Sequence, residues 1–115
     1  MQKANIIRKV VGDKVHYTEK KDKELIVSTI SQKVYFTNGE NIILIRDIDD
    51  CDITLNQDTT NHIIIKCLAN ATLRPSRGLI DDYYEEIIMK KGACVELIVI
   101  GDNWYVLSSD GLKFD

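Results

Sequence analysis

The excess of β-branched residues constrains this chain more than any other feature of its sequence. Its 115 residues include 17 Ile, 8 Val and 7 Thr, against only 4 Ala. β-Branched side chains lose rotamer freedom in a helix, whereas they pack well on the pleated surface of a sheet. The composition therefore predicts a mostly β protein, and the length predicts one compact domain.

Apolar segments of strand length recur along the chain, separated by short polar turns. This spacing is typical of a small antiparallel sandwich, a barrel or a short β-helix-like domain. An all-β fold of one of these three kinds is therefore expected. The predicted strands cover residues 5–11, 14–18, 25–30, 33–37, 41–46, 53–55, 62–68, 71–74, 94–100 and 104–108.

Two turn sequences predict β-hairpins. Gly101-Asp102-Asn103 separates the last two predicted strands, and these residue types tolerate the positive φ of hairpin turns. Asn38-Gly39, one of the strongest short hairpin signals, lies between segments 33–37 and 41–46. The sequence predicts that each pair of segments forms an antiparallel hairpin.

Residues 80–91 allow two interpretations. Acidic residues come early, Lys90 and Lys91 come late and Gly92 follows, which is how a short helix is punctuated. The paired tyrosines and isoleucines of the same stretch favour a strand. We predict a strand here, with a short helix as the open alternative.

Charge and cysteine content exclude several classes of function. The net charge is −3, so no general basic field attracts nucleic acid. No apolar run approaches the length of a membrane span, and the N-terminus lacks a secretory signal, which predicts synthesis in a cytoplasm. The odd number of cysteines, Cys51, Cys67 and Cys94, indicates buried thiols rather than disulfides or a zinc site.

The acidic run Asp47-Ile-Asp-Asp-Cys-Asp52 and the two histidines are the remaining candidates for chemistry. Clustered carboxylates suit calcium, but the order of an EF-hand loop is absent, and we favour a solvated turn. Neither His16 nor His62 has a Ser, Cys or Asp at a sequence spacing typical of a catalytic pair. The sequence predicts no catalytic residue, no metal site and no cofactor.

A series of segments resembles the β-domains of bacteriophage virion proteins, such as tail-fibre, head-fibre and decoration proteins. The resemblance covers residues 42–109 and ends in a closing hairpin. It does not extend to the first 40 residues. The matching segments are Asp52-Ile-Thr-Leu55, His62-Ile-Ile-Ile-Lys-Cys67, Ala71-Thr-Leu-Arg-Pro75, Gly78-Leu-Ile-Asp81, Gly92-Ala-Cys-Val-Glu-Leu97 and Asn103-Trp-Tyr-Val106.

The resemblance implies a structural, non-enzymatic virion protein of a tailed phage, made in the host cytoplasm. Such a head-fibre, decoration or tail-appendage subunit is expected to form homotrimers and to bind capsid or tail proteins. No nucleic acid or membrane partner is expected. Residues 1–40 would then serve for attachment, and residues 41–115 would form the appendage-like β-domain. The alternative is a fibre-tip module that binds a host-surface glycan.

Two aromatic pairs are the candidate functional residues. Trp104 and Tyr105 begin the last predicted strand, where they would anchor either the core or a subunit interface. Tyr83 and Tyr84 lie in the ambiguous segment and are candidates for an exposed binding surface.

Overall fold

A computed structural model describes the backbone of residues 6–11, 14–19 and 24–114, and the side chains of residues 25–112. Within these ranges the chain forms ten strands and no helix. The strands are β1 (Ile6–Val11), β2 (Lys14–Glu19), β3 (Glu24–Ile30), β4 (Val34–Phe36), β5 (Ile42–Ile45), β6 (Cys51–Leu55), β7 (His62–Cys67), β8 (Ala71–Pro75), β9 (Ile87–Ile100) and β10 (Asn103–Phe114).

The central six strands wind as a short β-helix. Strands β3, β5 and β7 pair in parallel, and β4, β6 and β8 pair in parallel as a second ladder. The chain alternates between the two ladders, so each coil adds one strand to each of them. The predicted all-β class is confirmed: the ten described strands form one nearly closed, barrel-like sheet, within which the two parallel ladders wind as in a short β-helix.

Strands β9 and β10 close the C-terminal end of the stack. The 14-residue β9 runs antiparallel to both β7 and β8, and thereby joins the two ladders into one sheet. Strand β10 returns along β9, with Asn103 opposite Ile100, as expected for the predicted closing hairpin. At the other end, β2 pairs with β3 and β1 pairs with β2, both antiparallel. The first coil, β3 and β4, thus belongs to the same stack as the later strands.

The hairpin predicted at Asn38-Gly39 is wrong. Strand β4 pairs with β6, and β5 pairs with β3 and β7. Gly39 does adopt a positive φ of 83°, but the segment forms a corner between ladders. The buried carboxylate of Glu40 accepts hydrogen bonds from the Tyr35 hydroxyl and the Asn38 amide inside this corner. Asn38-Gly39 therefore correctly indicated a turn with positive φ, but it did not indicate which strand pairs with β4.

The short helix considered for residues 80–91 is also wrong. Residues Ile80–Tyr84 form a tight turn, in which the amides of Tyr83 and Tyr84 donate to the Ile80 carbonyl at 3.1 and 2.8 Å. Asp81 and Asp82 occupy its centre with φ values of 53° and 60°, which no right-handed helix allows. The predicted strand is present from Ile87 onward.

The core lies between the two ladders. Alternate residues of every inner strand are buried, including Ile43, Ile53, Ile63, Ile65, Leu73, Ile87, Val95 and Leu97. The outward residues of β7, Ile64 and Lys66, are partly exposed, so one face of this central strand lies at the surface. Pro75 ends β8, where its missing N–H disrupts no internal ladder.

Candidate functional site

Strand β4 is an edge of the sheet that carries exposed apolar side chains. Among the described strands it pairs only with β6. Val34 and Phe36 are 59% and 60% exposed, while Tyr35 between them points toward the core. An unpaired edge with outward apolar residues is a template for another strand. We call this segment, Val34–Phe36, the β4 edge.

The outer edge of β10 is covered by the chain itself. The Trp104 amide donates to the Leu79 carbonyl at 2.9 Å, and the Asp81 amide donates to the Trp104 carbonyl at 2.8 Å. The next outward amide, that of Val106, donates to the Asp81 carboxylate at 3.0 Å. Residues 79–84 therefore occupy the position of a further strand. We call β9, β10 and residues 79–84 the C-terminal cap.

The rest of β10 is irregular. The pairing with β9 shifts between Val106 and Ser108 and again between Asp110 and Leu112. Gly111 adopts a φ of 77°, and a Cβ at this position would lie 3.3 Å from the Cα and Cβ atoms of Ala93. Bulges and charged residues discourage the addition of a foreign strand to an edge. The C-terminal cap therefore combines two protections, a covering turn and an irregular strand.

The side chains of Trp104 and Tyr105 lie on opposite faces of β10. Trp104 is fully buried within the single chain, so it anchors the core and offers no surface to a partner. Tyr105 lies on the other face, where its hydroxyl donates to the Asp82 carboxylate at 2.7 Å. This hydrogen bond raises the pKa of the Tyr105 hydroxyl, since it stabilises the protonated phenol. Tyr105 thus ties β10 to the turn at Asp81 and Asp82.

Tyr83 and Tyr84 differ in exposure. Tyr83 is 74% exposed, and Tyr84 is partly buried against the core. Their rings meet edge to face with centroids 4.9 Å apart. Tyr83 borders an open groove of about 730 Å³, whose other lining residues are Arg74, Leu79, Glu85 and Glu86. We call this the Tyr83 groove.

Arg74 organises the charged side of the Tyr83 groove. Its guanidinium donates to the carboxylate of Asp52 at 2.8 Å and lies 3.3 Å from that of Glu86. These three side chains extend from β6, β8 and the segment before β9, so the sheet holds them in place. The groove therefore presents an exposed aromatic ring beside fixed polar groups.

The acidic run 47–52 forms the corner between β5 and β6. Asp47 and Asp50 adopt positive φ values of 62° and 55°, which aspartate tolerates in turns. The Asp49 carboxylate accepts the Asn70 amide at 2.8 Å, and its carbonyl accepts the Lys33 ammonium at 2.8 Å. Within the described residues, no cluster of three or more potential metal ligands is present.

The cysteines lie close to the core. Cys51 and Cys67 are fully buried, and Cys94 is partly exposed; none forms a disulfide. Burial, with the neighbouring thiols of Cys51 and Cys94, raises the pKa of the Cys67 thiol to about 12. Burial, followed by the charge of Asp52, also raises the pKa of Cys51. Both buried thiols therefore stay protonated and poorly nucleophilic at neutral pH.

His62 lies beside a carboxylate on the outer face of the sheet. Its Nε2 is 2.7 Å from Oε2 of Glu96, and the Ser108 hydroxyl donates to the other oxygen of Glu96 at 3.3 Å. Glu96 thus stands between the hydroxyl and the imidazole, which is the reverse of a nucleophile activated by histidine. A shallow depression of about 350 Å³ adjoins Glu96 and Ser108. The side chain of His16 lies outside the described residues.

Sequence reasoning identified the aromatic candidates but missed the β4 edge. The pattern Val-Tyr-Phe does alternate as a strand requires, yet either face could have been the buried one. Only the packing of Tyr35 against the core and the exposure of its two neighbours show that Val34 and Phe36 face outward.

Comparison with known proteins identifies no relative. The chain matches no family model, no curated protein and no solved structure. Within the part of the chain that the structure describes, no helix is long and apolar enough to cross a membrane. The β4 edge and the Tyr83 groove are therefore judged by their geometry alone.

Proposed function

We propose that this protein is a structural subunit of a tailed-phage virion that acts by protein–protein assembly. A head-fibre, decoration or tail-appendage subunit, made in the host cytoplasm and then built into the virion, is the role that we infer. The observation that carries the proposal is the uncovered β4 edge with Val34 and Phe36 exposed. The resemblance of residues 42–109 to virion β-domains supplies the class of assembly.

The chemistry of the described surface supports assembly over catalysis. Several of its polar side chains stabilise turns and coil corners. The Arg77 guanidinium, for example, bridges Asp58 and Asp102 at 3.0 and 3.1 Å and ties two loops together. The large apolar side chains left in solvent, such as Phe36, Ile100 and Leu107, are the type that subunit contacts bury. We propose no catalytic residue and no cofactor.

The partners that we propose are further copies of the chain and other virion proteins of the capsid or tail. The virion resemblance suggests a homotrimer. Exposed apolar side chains occur both at the β4 edge and on the β9–β10 hairpin, so one chain offers two separate contact surfaces. Self-association through one surface would leave the other for a capsid or tail protein.

The solution mass of the purified chain over a concentration series tests the self-assembly. A stable mass near three times the 13.1 kDa of one chain is expected. A single-chain mass at every concentration would overturn the homotrimer. A second measurement, cosedimentation with phage particles assembled without the protein, tests the virion role. Absence of cosedimentation with every such particle would contradict that role.

The Tyr83 groove favours one second candidate, a module that binds a host-surface glycan. Exposed aromatic rings stack on the apolar faces of sugars, and carboxylates and guanidinium groups bind sugar hydroxyls. The groove presents Tyr83 beside Arg74 and two glutamates. Binding to a panel of immobilised glycans should be lost in Tyr83→Ala and retained in Tyr83→Phe. No binding by the unaltered chain would exclude this candidate.

A further inference from the structure

We propose that the β4 edge binds one extended strand of a partner polypeptide, with aromatic or β-branched residues at every second position. The inference rests on the proposed function for the nature of the partner, another protein of the assembly. It adds how that partner is held. Strand addition supplies main-chain hydrogen bonds for affinity and alternate side chains for specificity.

The backbone of β4 is arranged to accept a strand. The carbonyl of Lys33 accepts the Asp52 amide at 2.7 Å, and the amide of Thr37 donates to the Thr54 carbonyl at 3.0 Å. Because backbone groups alternate in direction along a strand, those of Val34 and Phe36 point away from β6. These two residues thus present two N–H groups and two carbonyls toward the open side.

The side chains of β4 indicate which residues the added strand carries. Val34 and Phe36 project from one face, and each is about 60% exposed. Neighbouring strands are stabilised by cross-strand pairs, of which aromatic and β-branched combinations are the most favourable. A partner strand with such residues on the same face would cover both side chains. Tyr35 already packs against the core and holds the edge in place through the buried Glu40.

The surrounding topology leaves room for the added strand. The ladder that contains β3 continues outward through β2 and β1, whereas the ladder that contains β4 ends at β4. The first ladder therefore extends two strands further than the second. No described strand lies on the open side of β4. At the C-terminal end the same two ladders are both closed by β9. The asymmetry between the two ends of the second ladder points to an added segment at the β4 edge.

The experiment is a selection from a library of randomised ten-residue peptides displayed for binding to the full chain. We expect enriched sequences that repeat aromatic or β-branched residues with a period of two. Binding of a synthetic copy should weaken by at least about tenfold in Phe36→Glu, because an unpaired charge then faces an apolar partner. Ile100→Glu, which changes an equally exposed apolar residue on the β9–β10 hairpin, should leave binding unchanged.

Backbone methylation distinguishes strand addition from a simple apolar contact. N-Methylation of alternate peptide amides that face β4 should abolish binding, and methylation of the other set should not. Equal effects of both sets, or enrichment without a period of two, would overturn the proposal. So would a concentration-dependent rise in the mass of the chain that Phe36→Glu abolishes, since a second copy would then occupy the edge.

The outcomes separate this inference from the proposed function. If the chain cosediments with phage particles and Phe36→Glu does so equally well, the structural role stands and strand addition fails. If peptides bind as expected but no self-assembly or cosedimentation occurs, strand addition stands and the virion role fails.

Discussion

Two edge strands of the sheet, β10 and β4, differ in whether the chain itself covers their open side. On β10, the outward amides of Trp104 and Val106 are bound by the Leu79 carbonyl and the Asp81 carboxylate. On β4, no described strand lies beside the equivalent groups, and Val34 and Phe36 remain in solvent. One edge is closed by the chain's own turn, and the other is left for pairing.

The difference shows that closing an edge takes specific local structure. The turn that covers β10 needs two consecutive left-handed aspartates, which are less favourable than ordinary backbone. Hydrogen bonds from β10 to Asp81 and Asp82 offset that strain. Strand β4 has no comparable device within the described residues. We therefore expect large effects of mutation at the C-terminal cap and small effects at the β4 edge.

Trp104→Ala should have the largest effect on stability. The fully buried indole leaves a cavity when removed, and the free energy of unfolding should fall by about 3–5 kcal/mol. Urea denaturation followed by circular dichroism measures the change. Trp104→Phe is the control, since it keeps an aromatic ring and removes the buried indole Nε1, which has no hydrogen-bond partner among the described residues. A similar loss in both variants would contradict the packing argument.

Gly78→Ala should destabilise more than Gly101→Ala. Both glycines have positive φ, 76° and 65°, so each substitution introduces about 1–2 kcal/mol of backbone strain. A Cβ at Gly78 would also lie 2.1 Å from the Asp102 carbonyl oxygen, whereas a Cβ at Gly101 meets nothing within 4 Å. Thermal unfolding of the two variants compares them. Equal destabilisation would mean that the contact between residue 78 and the hairpin turn relaxes freely.

Asp81→Ala should open the edge of β10 with a moderate loss of stability. The variant removes the acceptor of the Val106 amide, which is expected to lower the free energy of unfolding by about 1 kcal/mol. Amide hydrogen exchange should accelerate at Val106 in particular. Asp81→Asn keeps a side-chain oxygen and tolerates the left-handed backbone, so its exchange should stay close to that of the unaltered chain. Unchanged exchange in Asp81→Ala would show that the turn does not cover this edge.

Phe36→Ser should have the smallest effect on the folded chain. The side chain is already 60% exposed, and the free energy of unfolding should change by no more than about 0.5 kcal/mol. Equilibrium unfolding in urea provides the measurement, with Val34→Ser as the companion variant. A loss of 2 kcal/mol or more, on the scale of about one buried side chain, would show that β4 is covered within the single chain.

The elements of the fold followed from sequence more readily than their pairing. The predicted strand at 71–74 and the closing hairpin around Gly101 agree with the structure, because strand patterns and a local turn depend on near neighbours. Asn38-Gly39 misled because a glycine with positive φ suits a β-helix corner as well as a hairpin. The aspartates at 81 and 82 resembled a helix start, although their carboxylates instead bind β10.

The candidate sites show the same limit. Tyr83 was expected at the surface and is exposed there, but the guanidinium beside it belongs to Arg74 on β8, a separate strand. The spacing of Arg74 and Tyr83 along the chain does not predict that they line one groove. The β4 edge was not predicted at all, because Val34 and Phe36 are apolar residues of the kind usually found in a core. They are exposed because β4 lies at the end of its ladder.

By itself, the sequence determined that the chain is built of strands, where most of them lie and where the final hairpin turns. These properties depend on β-branched side chains and turn residues that act over a few neighbouring positions. The tertiary structure alone decided that the inner strands pair in parallel, that Trp104 is enclosed and that β10 is covered while β4 is open. Such choices depend on contacts between residues far apart in the chain, where the burial of apolar surface outweighs local preference.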